Sequence, residues 1–155
     1  MIKYRKFQFG WVIAVIYIII IVWMTLAFIY QWGNNPLDKY GYIFFMILFG
    51  GILSAFYGIT VIVTDKHLLI RFGIGFYTKK IDLSKIKSVT VLKYPVYYGY
   101  GIRFVPSGVL YNVSGRYAVE IRLKDKKQVI QIGSDDTDNL KLAIETGIAQ
   151  TDRPE

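Results

Sequence analysis

The sequence predicts an α-helical transmembrane hairpin followed by a mainly-β domain that one C-terminal helix closes. Three observations predict this class. Two long uncharged stretches stand near the start of the chain, separated by a short polar turn. Short segments rich in β-branched residues follow them. The last part of the chain has apolar residues at helical spacing, and 155 residues suit one domain with an appendage.

The first predicted span covers about residues 11–31. The stretch from Trp11 to Tyr30 carries no charged residue. A helix of that length, at about 1.5 Å per residue, crosses a hydrocarbon core of about 30 Å. A cleaved signal peptide is the alternative explanation. It is the weaker one, because the apolar run is longer than the core of a typical signal peptide and no small-residue cleavage site follows it.

A second span is predicted at about residues 40–58, which are also uncharged, so residues 1–58 form the predicted hairpin. The connection from Gly33 to Lys39 contains the glycine, asparagine and proline residues of a compact turn. Basic residues flank the pair on one side: Lys3, Arg5 and Lys6 before it, and Lys66 and Arg71 after it. The positive-inside rule therefore predicts a multi-pass protein of the cell (inner) membrane with both termini in the cytoplasm.

The second span carries a ridge of small residues that predicts close helix packing. They recur at a spacing of four or stand beside that row: Gly50, Gly51, Ser54, Ala55 and Gly58. Small side chains let another helix backbone approach closely. We expect the ridge to pack against the first span of the same chain, and a homodimer contact is the alternative.

Residues 59–149 are predicted to form a cytoplasmic, mainly-β domain, with a short tail at 150–155. Segments rich in β-branched and aromatic residues alternate with turns, as expected for about seven antiparallel strands in a barrel or orthogonal sandwich. The candidate segments are 59–65, 67–73, 76–83, 86–94, 101–105, 109–113, 116–123 and 128–133. In 116–123 we expect one buried and one wet face, because two sets of residues alternate: Tyr117, Val119, Ile121 and Leu123 on the apolar face, and Arg116, Ala118, Glu120 and Arg122 on the wet one. We expect Asn112 to Gly115 to turn a hairpin.

The last element is predicted to be a helix that lies over one open end of the β-structure. Its apolar residues share one face: Leu140, Ala143, Ile144, Gly147 and Ile148. The preceding run from Ser134 to Asp138 supplies hydroxyl and carboxylate groups, which stabilise the positive end of a helix.

Three segments resemble the pleckstrin-homology superfold: GYGIR (Gly99 to Arg103), YNVSG (Tyr111 to Gly115) and the run from Ala118 to Ile144. More narrowly, residues 59–149 resemble the bacterial pleckstrin-homology-like (PH-like) domains that are attached to membrane helices. The segment KDKK lacks the glycine that such domains often have in the final hairpin. The resemblance implies a binding or assembly module that is frequently oligomeric, and it does so at the level of the fold.

The composition leaves little for catalysis, so we predict no enzyme activity, no cofactor and no metal site. The chain has no cysteine and one histidine, His67, which excludes thiolate chemistry and leaves a histidine-based site without partners. Phe104 stands where a dinucleotide-binding loop starting at Gly99 needs its third glycine, and no G-K-[ST] phosphate loop is present. The acidic run at 135–138 lacks the ligand spacing of a calcium loop.

Two groups of residues are candidates for contact with a partner or with the membrane. The first combines tyrosines with an arginine: Tyr94, Tyr97, Tyr98, Tyr100 and Arg103. Tyrosine buries a large area and keeps a polar tip, so it is common at interfaces; internal packing of the rings is the alternative. The second group is basic: Lys79, Lys80, Lys85 and Lys87. Lysines at an anionic leaflet contribute about 1 kcal/mol each, and a solvated strand face is the alternative.

The formal net charge of +8 favours anionic surfaces. We expect a membrane-anchored binding or assembly module that acts at the cytoplasmic membrane surface through protein–protein or self-association contacts. Its expected partners are membrane lipids and a membrane protein or second copy of the chain, with no small-molecule substrate. An accessory subunit of a larger membrane complex is the main alternative. A nucleic-acid-binding domain, an enzyme and a transporter have less support, because their motifs are missing and the spans hold no charge.

Overall fold

The computed structural model describes residues 1–125 and 127–151. Strand β1 (Ile2–Phe9) precedes two long helices, α1 (Trp11–Ile29) and α2 (Lys39–Phe56). Eight strands follow: β2 (Gly58–Thr64), β3 (His67–Phe72), β4 (Tyr77–Asp82), β5 (Ile86–Lys93), β6 (Gly101–Val105), β7 (Gly108–Asn112), β8 (Tyr117–Leu123) and β9 (Val129–Gly133). The last element is helix α3 (Thr137–Thr151). The predicted helical pair, mainly-β region and C-terminal helix are confirmed. Residues 150 and 151 of the predicted tail belong to α3, and residues 152–155 lie outside the described part of the chain.

The strands form two sheets. Sheet A has the order β1-β2-β3-β4 and is antiparallel throughout. Sheet B has the order β5-β8-β9-β7-β6, and its β7–β9 pair is parallel. The described residues therefore contain nine strands and one parallel pair, where the sequence predicts about seven antiparallel strands. Strand order depends on contacts between distant parts of the chain, which turn composition does not report.

The connection from Asn112 to Gly115 does not turn a hairpin, which corrects the sequence prediction. It joins β7 to β8, and these strands are not neighbours because β9 lies between them. The hairpins of sheet B are instead β6–β7 and β8–β9, whose strands pair antiparallel.

The N-terminal strand β1 is an element that the sequence analysis does not predict, since residues 1–58 are assigned there to the hairpin. It pairs with β2 along its length and ends with Phe9 opposite Gly58. Lys6 on this strand forms an ion pair with Asp135, 3.3 Å away, in the segment before α3. The sequence does not predict this strand for two reasons. Its basic residues are already explained by the positive-inside rule, and its partner strand, β2, is far away in the chain.

Tyr4 on β1 predicts a sensitivity of the fold to alkali. Its hydroxyl donates to Asp136 Oδ2 at 3.3 Å, and burial, followed by the nearby Asp136 carboxylate, raises the pKa of Tyr4 from 10.0 to about 12. The stability from the neutral hydroxyl is complete below the unfolded-state pKa and is lost as the pH rises through the folded-state pKa. We therefore expect the free energy of unfolding of Tyr4→Phe to fall less than that of the wild type between pH 10 and 12.

Denaturant titrations followed by circular dichroism at each pH measure this difference. Tyr97→Phe, which removes an exposed hydroxyl, is the matched control for the loss of one tyrosine. An equal fall in stability for Tyr4→Phe and the wild type contradicts the prediction.

Helices α1 and α2 form a pair that is inserted between two neighbouring strands of sheet A. Only Gly10 separates β1 from α1, and only Tyr57 separates α2 from β2. The Gly10 N–H donates to the Tyr57 carbonyl oxygen at 2.7 Å. Between the helices, Phe28 stacks on Tyr42 with ring centroids 4.4 Å apart. The two ends of the pair are therefore held side by side at one end of sheet A.

Both helices are long and apolar enough to cross a membrane. They have 19 and 18 residues and mean hydropathies of 3.0 and 1.5. In the apolar 18-residue stretch of each helix, only 6% of the residues are buried. An apolar core helix of a soluble protein is mostly buried, unlike these two. A signal peptide cleaved behind α1 would also remove β1 from sheet A. We therefore treat α1 and α2 as candidate membrane spans.

The small residues of α2 do not form one ridge against α1, which corrects the expected packing. A side-chain carbon built at Gly50 or Gly51 meets no atom within 4 Å, so neither glycine lies against α1. Ser54 is exposed, Ala55 is buried, and Gly58 belongs to β2, where it packs against β1. Aromatic pairs between α1 and α2 contribute to the contact between the helices. A homodimer contact through α2 stays a prediction.

The main hydrophobic core lies between the two sheets, and α3 closes it with Leu140 and Ile144, as its spacing predicts. The predicted wet face of β8 is wrong for Ala118 and Glu120, which are both buried. The reason is that β8 is an inner strand of sheet B, and a small second cluster that includes Tyr94 and Ala118 covers that face.

Candidate functional site

One end of the β-region lies against α1 and α2, and we call it the helix-proximal end. It includes the junctions of β1 and β2 with the helices and the β3–β4 turn (residues 73–76). The Gly73 N–H donates to the Gly58 carbonyl oxygen at 2.8 Å, and the Gly73 backbone lies close to the Ala55 carbonyl group. The other end of sheet A carries the pairing of His67 with Asp82.

Two large apolar side chains project from the β3–β4 turn. Ile74 is 74% exposed and Phe76 is 78% exposed. Single exposed hydrophobic residues are common on proteins, but these two lie beside the end of a candidate membrane span. The sequence analysis missed them. The available signal was the segment GIGF, in which apolar residues alternate with turn-forming glycines.

Two members of the predicted tyrosine group, Tyr94 and Tyr98, pack inside the protein. Tyr94 is 4% exposed, and its hydroxyl donates to the Gly115 carbonyl oxygen at 3.1 Å. Burial, followed by the nearby Tyr100, raises the pKa of Tyr94 above its ordinary value. Tyr98 is half-buried and packs against the same cluster. These two rings therefore cover the second face of sheet B, in line with the alternative of internal packing.

The remaining members of that group, Tyr97, Tyr100 and Arg103, reach the surface. The exposed Tyr97 ring lies edge-on to Tyr98 with centroids 5.1 Å apart. Arg103 Nε donates to the Tyr100 carbonyl oxygen at 3.0 Å. The guanidinium lies over Gly99, whose φ of +71° favours glycine. The loop that contains Gly99 and Gly101 therefore bends so that Arg103 lies beside the helices.

Tyr100 and Arg103 border a groove between this loop and the helix pair, which we call the interfacial groove. Its volume is about 420 Å³, within the usual range of about 300–1,000 Å³ for ligand sites. One wall is apolar and comes from the helices, while the other is the loop. The lining consists of Ile13, Ile16, Tyr17, Ile52, Phe56 and residues 99–103. Within the described part of the chain, no acidic residue lines it.

A second groove lies on the outer face of sheet A and brings together two arginines that the sequence analysis did not group. Arg5 on β1 and Arg71 on β3 line it, with Phe7, Tyr57 and Thr60, and its volume is about 420 Å³. Strand register produces this arrangement, because Phe7 lies opposite Thr60 and Thr60 lies opposite Arg71. The helix-proximal end therefore carries arginines from three separate strands.

The predicted lysine group lies elsewhere and does not join the tyrosines. Lys79, Lys80 and Lys85 line a smaller cleft of about 230 Å³ between β4 and sheet B. Asp82 lines the same cleft, and its carboxylate lies 3.8 Å from Lys85 Nζ. Lys87 is exposed on β5 outside this cleft. Because β4 runs away from the helices toward Asp82, these lysines extend toward the far end of sheet A.

The single histidine belongs to the far end of sheet A. His67 Nε2 lies 3.0 Å from Asp82 Oδ1. In residues 1–125 and 127–151, no three His, Cys, Asp or Glu side chains come together in a way that would hold a metal ion. The His67–Asp82 contact therefore joins β3 to β4.

Comparisons with known proteins add no relationship. No family model, no curated protein and no solved structure matches this chain. The functional interpretation therefore rests on the geometry of the helix-proximal end, with its two exposed apolar side chains, its arginine-lined grooves and its double junction with the helices.

Proposed function

We propose that this protein is a two-span membrane protein whose PH-like β-domain acts as a binding module at the cytoplasmic membrane surface. The domain binds a membrane-protein partner or a second copy of the chain, and its helix-proximal end rests on anionic lipid headgroups. Because the helices keep the domain at the bilayer, weak contacts gain from a high local concentration.

The insertion of the helix pair between two hydrogen-bonded strands carries this proposal. β1 continues into α1 and α2 continues into β2, and the two junction residues, Gly10 and Tyr57, are themselves hydrogen-bonded. Two such connections restrict rotation of the domain relative to the helices, whereas one flexible linker leaves it free. The same end of the domain is therefore turned toward the bilayer whenever the helices span it.

The composition of that end supports contact with lipid. Ile74 and Phe76 offer exposed apolar surface, and Arg71 and Arg103 are exposed cations in the neighbouring grooves. Each basic side chain near an anionic leaflet contributes about 1 kcal/mol. Lys39, the first residue of α2, is the one basic residue at the end of the helix pair that lies away from the β-domain, so the positive-inside rule favours placing the β-domain in the cytoplasm.

Two further observations support the binding role. An antiparallel four-stranded sheet, a second sheet and a closing C-terminal helix support the proposed PH-like arrangement, while the parallel β7–β9 pair departs from the antiparallel strands expected of it. On α2, the open space beside Gly50 and Gly51 leaves room for a helix of a partner or of a second copy. The same surface serves the alternative, in which the chain is an accessory subunit of a larger membrane complex.

Depth measurements with fluorescent labels test the proposal. The chain has no cysteine, so one introduced cysteine labels one site. In Phe76→Cys, an NBD label on the vesicle-reconstituted protein is expected to emit at shorter wavelength. Lipids spin-labelled high in the acyl chain are expected to quench it strongly, because the β3–β4 turn rests on the bilayer. Leu142→Cys is the matched control, since Leu142 is also exposed but lies on α3 beside the start of β1, away from the junctions with the helices.

The control label is expected to emit as in water and to be quenched little. Water-like emission from both labels, or equal quenching of both, contradicts the proposed orientation of the domain.

A further inference from the structure

We propose that the interfacial groove binds one anionic phospholipid from the leaflet in which α1 begins. Its phosphate lies at Arg103, and one acyl chain lies along the apolar wall that α1 and α2 supply. This inference rests on the proposed function, because the groove meets lipid only if the helices span the bilayer.

The apolar wall lies at the depth where headgroups give way to acyl chains. Ile13 and Ile16 belong to the first two turns of α1, and Ile52 and Phe56 belong to the last two turns of α2. At about 1.5 Å per residue, all four side chains lie within roughly 10 Å of the junctions with the β-domain. When α1 and α2 span the bilayer, side chains at this depth lie at the boundary between the interfacial region and the hydrocarbon core.

The polar wall contains the Arg103 guanidinium, which has N–H donors free for a ligand. Arg103 is exposed, and Nε is engaged by the Tyr100 carbonyl oxygen at 3.0 Å. Within the described residues, Arg103 forms no ion pair with a carboxylate. Its terminal nitrogens therefore have the fork geometry that binds a phosphate group through two hydrogen bonds. A side-chain carbon built at Gly101 meets no atom within 4 Å, so the loop leaves space beside the arginine.

The combination of walls selects a lipid over other anions. A free phosphate would use Arg103 and leave the helical wall uncovered, whereas a phospholipid covers both. Charge complementarity favours an anionic headgroup over a zwitterionic one. The ammonium group of a zwitterionic headgroup would lie close to Arg103, and no carboxylate lines the groove to pair with that ammonium group. The lysine cleft is less suited to an anion because Asp82 shares its lining.

Native mass spectrometry of the full-length protein tests the inference. The protein is released from micelles that contain equal amounts of phosphatidylglycerol and phosphatidylcholine with identical acyl chains. We expect one phosphatidylglycerol to be retained in preference to phosphatidylcholine. Arg103→Gln is expected to weaken this retention about tenfold, the effect of losing a charge-assisted hydrogen bond. Arg116→Gln, which removes an exposed arginine outside the groove lining, is expected to leave it unchanged.

A second pair of variants tests the apolar wall. Ile16→Trp narrows the groove and is expected to reduce lipid retention while the charge stays in place. Ile19→Trp changes an exposed residue of the same helix outside the lining and is expected to retain the lipid. This pair also keeps the inference testable if the Arg103 variant does not fold.

Any one of five results would overturn the inference. Three concern the anion: equal retention of phosphatidylglycerol and phosphatidylcholine, equal retention by Arg103→Gln and the wild type, and equal loss in Arg103→Gln and Arg116→Gln. The other two are equal retention by Ile16→Trp and Ile19→Trp, and complete displacement of the lipid by free glycerol phosphate. The NBD label at residue 76 separates the two proposals. If that label reports lipid contact and retention is unselective, the groove inference fails and the proposed function stands. If the label stays in water, the proposed function itself fails.

Discussion

Replacement of Gly73 by alanine is expected to destabilise the β-domain by about 2–5 kcal/mol, the sum of left-handed backbone strain and forced overpacking. Gly73 has a φ of +53°, a conformation that favours glycine. An added side-chain carbon would lie 2.6 Å from the Ala55 carbonyl oxygen and still closer to that of Ser54. Both obstacles are backbone atoms, so the last turn of α2 would have to move away from the β3–β4 turn.

Chemical unfolding of the full-length protein in micelles, followed by circular dichroism, measures this loss. Gly33→Ala is the matched control. Gly33 also has a positive φ, +91°, but an added carbon there meets no atom within 4 Å. The control is expected to cost about 1–2 kcal/mol from backbone strain alone. Equal losses for the two variants would show that Gly73 is not a tight contact between the domain and the helices.

Replacement of Gln8 by leucine is expected to cost about 2–4 kcal/mol, because it leaves buried backbone groups without partners. Gln8 is buried on β1, and its amide donates to the Ser114 carbonyl oxygen at 2.9 Å and to Ser114 Oγ at 2.6 Å. Its Oε1 atom accepts the Asp135 N–H at 3.3 Å. One side chain thus ties β1 to the β7–β8 connection and to the segment before α3, and leucine satisfies none of these groups.

Hydrogen exchange measured by mass spectrometry reports this loss locally. In Gln8→Leu, amides of residues 2–9, 113–116 and 134–136 are expected to exchange faster, while the centre of sheet B keeps its protection. Gln128→Leu, at an exposed position just before β9, is the control and is expected to change stability by about 0.5 kcal/mol or less. Unchanged protection of β1 in Gln8→Leu would contradict the role of this strand as part of the domain.

The helices were predictable from the sequence, and their ends less so. The predicted spans of 11–31 and 40–58 correspond to Trp11–Ile29 and Lys39–Phe56. The second helix ends early because Gly58 pairs with Phe9 in sheet A. Uncharged length decides that a segment is helical in lipid, but the partner strand decides where the helix stops.

The candidate site was predictable only in part. Tyr100 and Arg103 lie at the interfacial groove, whereas Tyr94, from the same stretch of sequence, is buried beneath the loop. These tyrosines have the same chemistry, so residue type does not separate them. A tyrosine of this stretch is buried where its ring packs on the second face of sheet B. The apolar surface of that face comes from Ala118 and Leu110, which lie on other strands.

The sequence by itself determined the apolar helix pair, the strand segments and the amphipathic last helix, because each depends on side chains that are close together in the chain. Only the tertiary structure decided that β1 completes sheet A, that β7 runs parallel to β9, and that Arg103 stands beside α1 and α2. These arrangements join residues that are far apart in the chain. Burial shared between separate elements stabilises them, and no local pattern of residues records it.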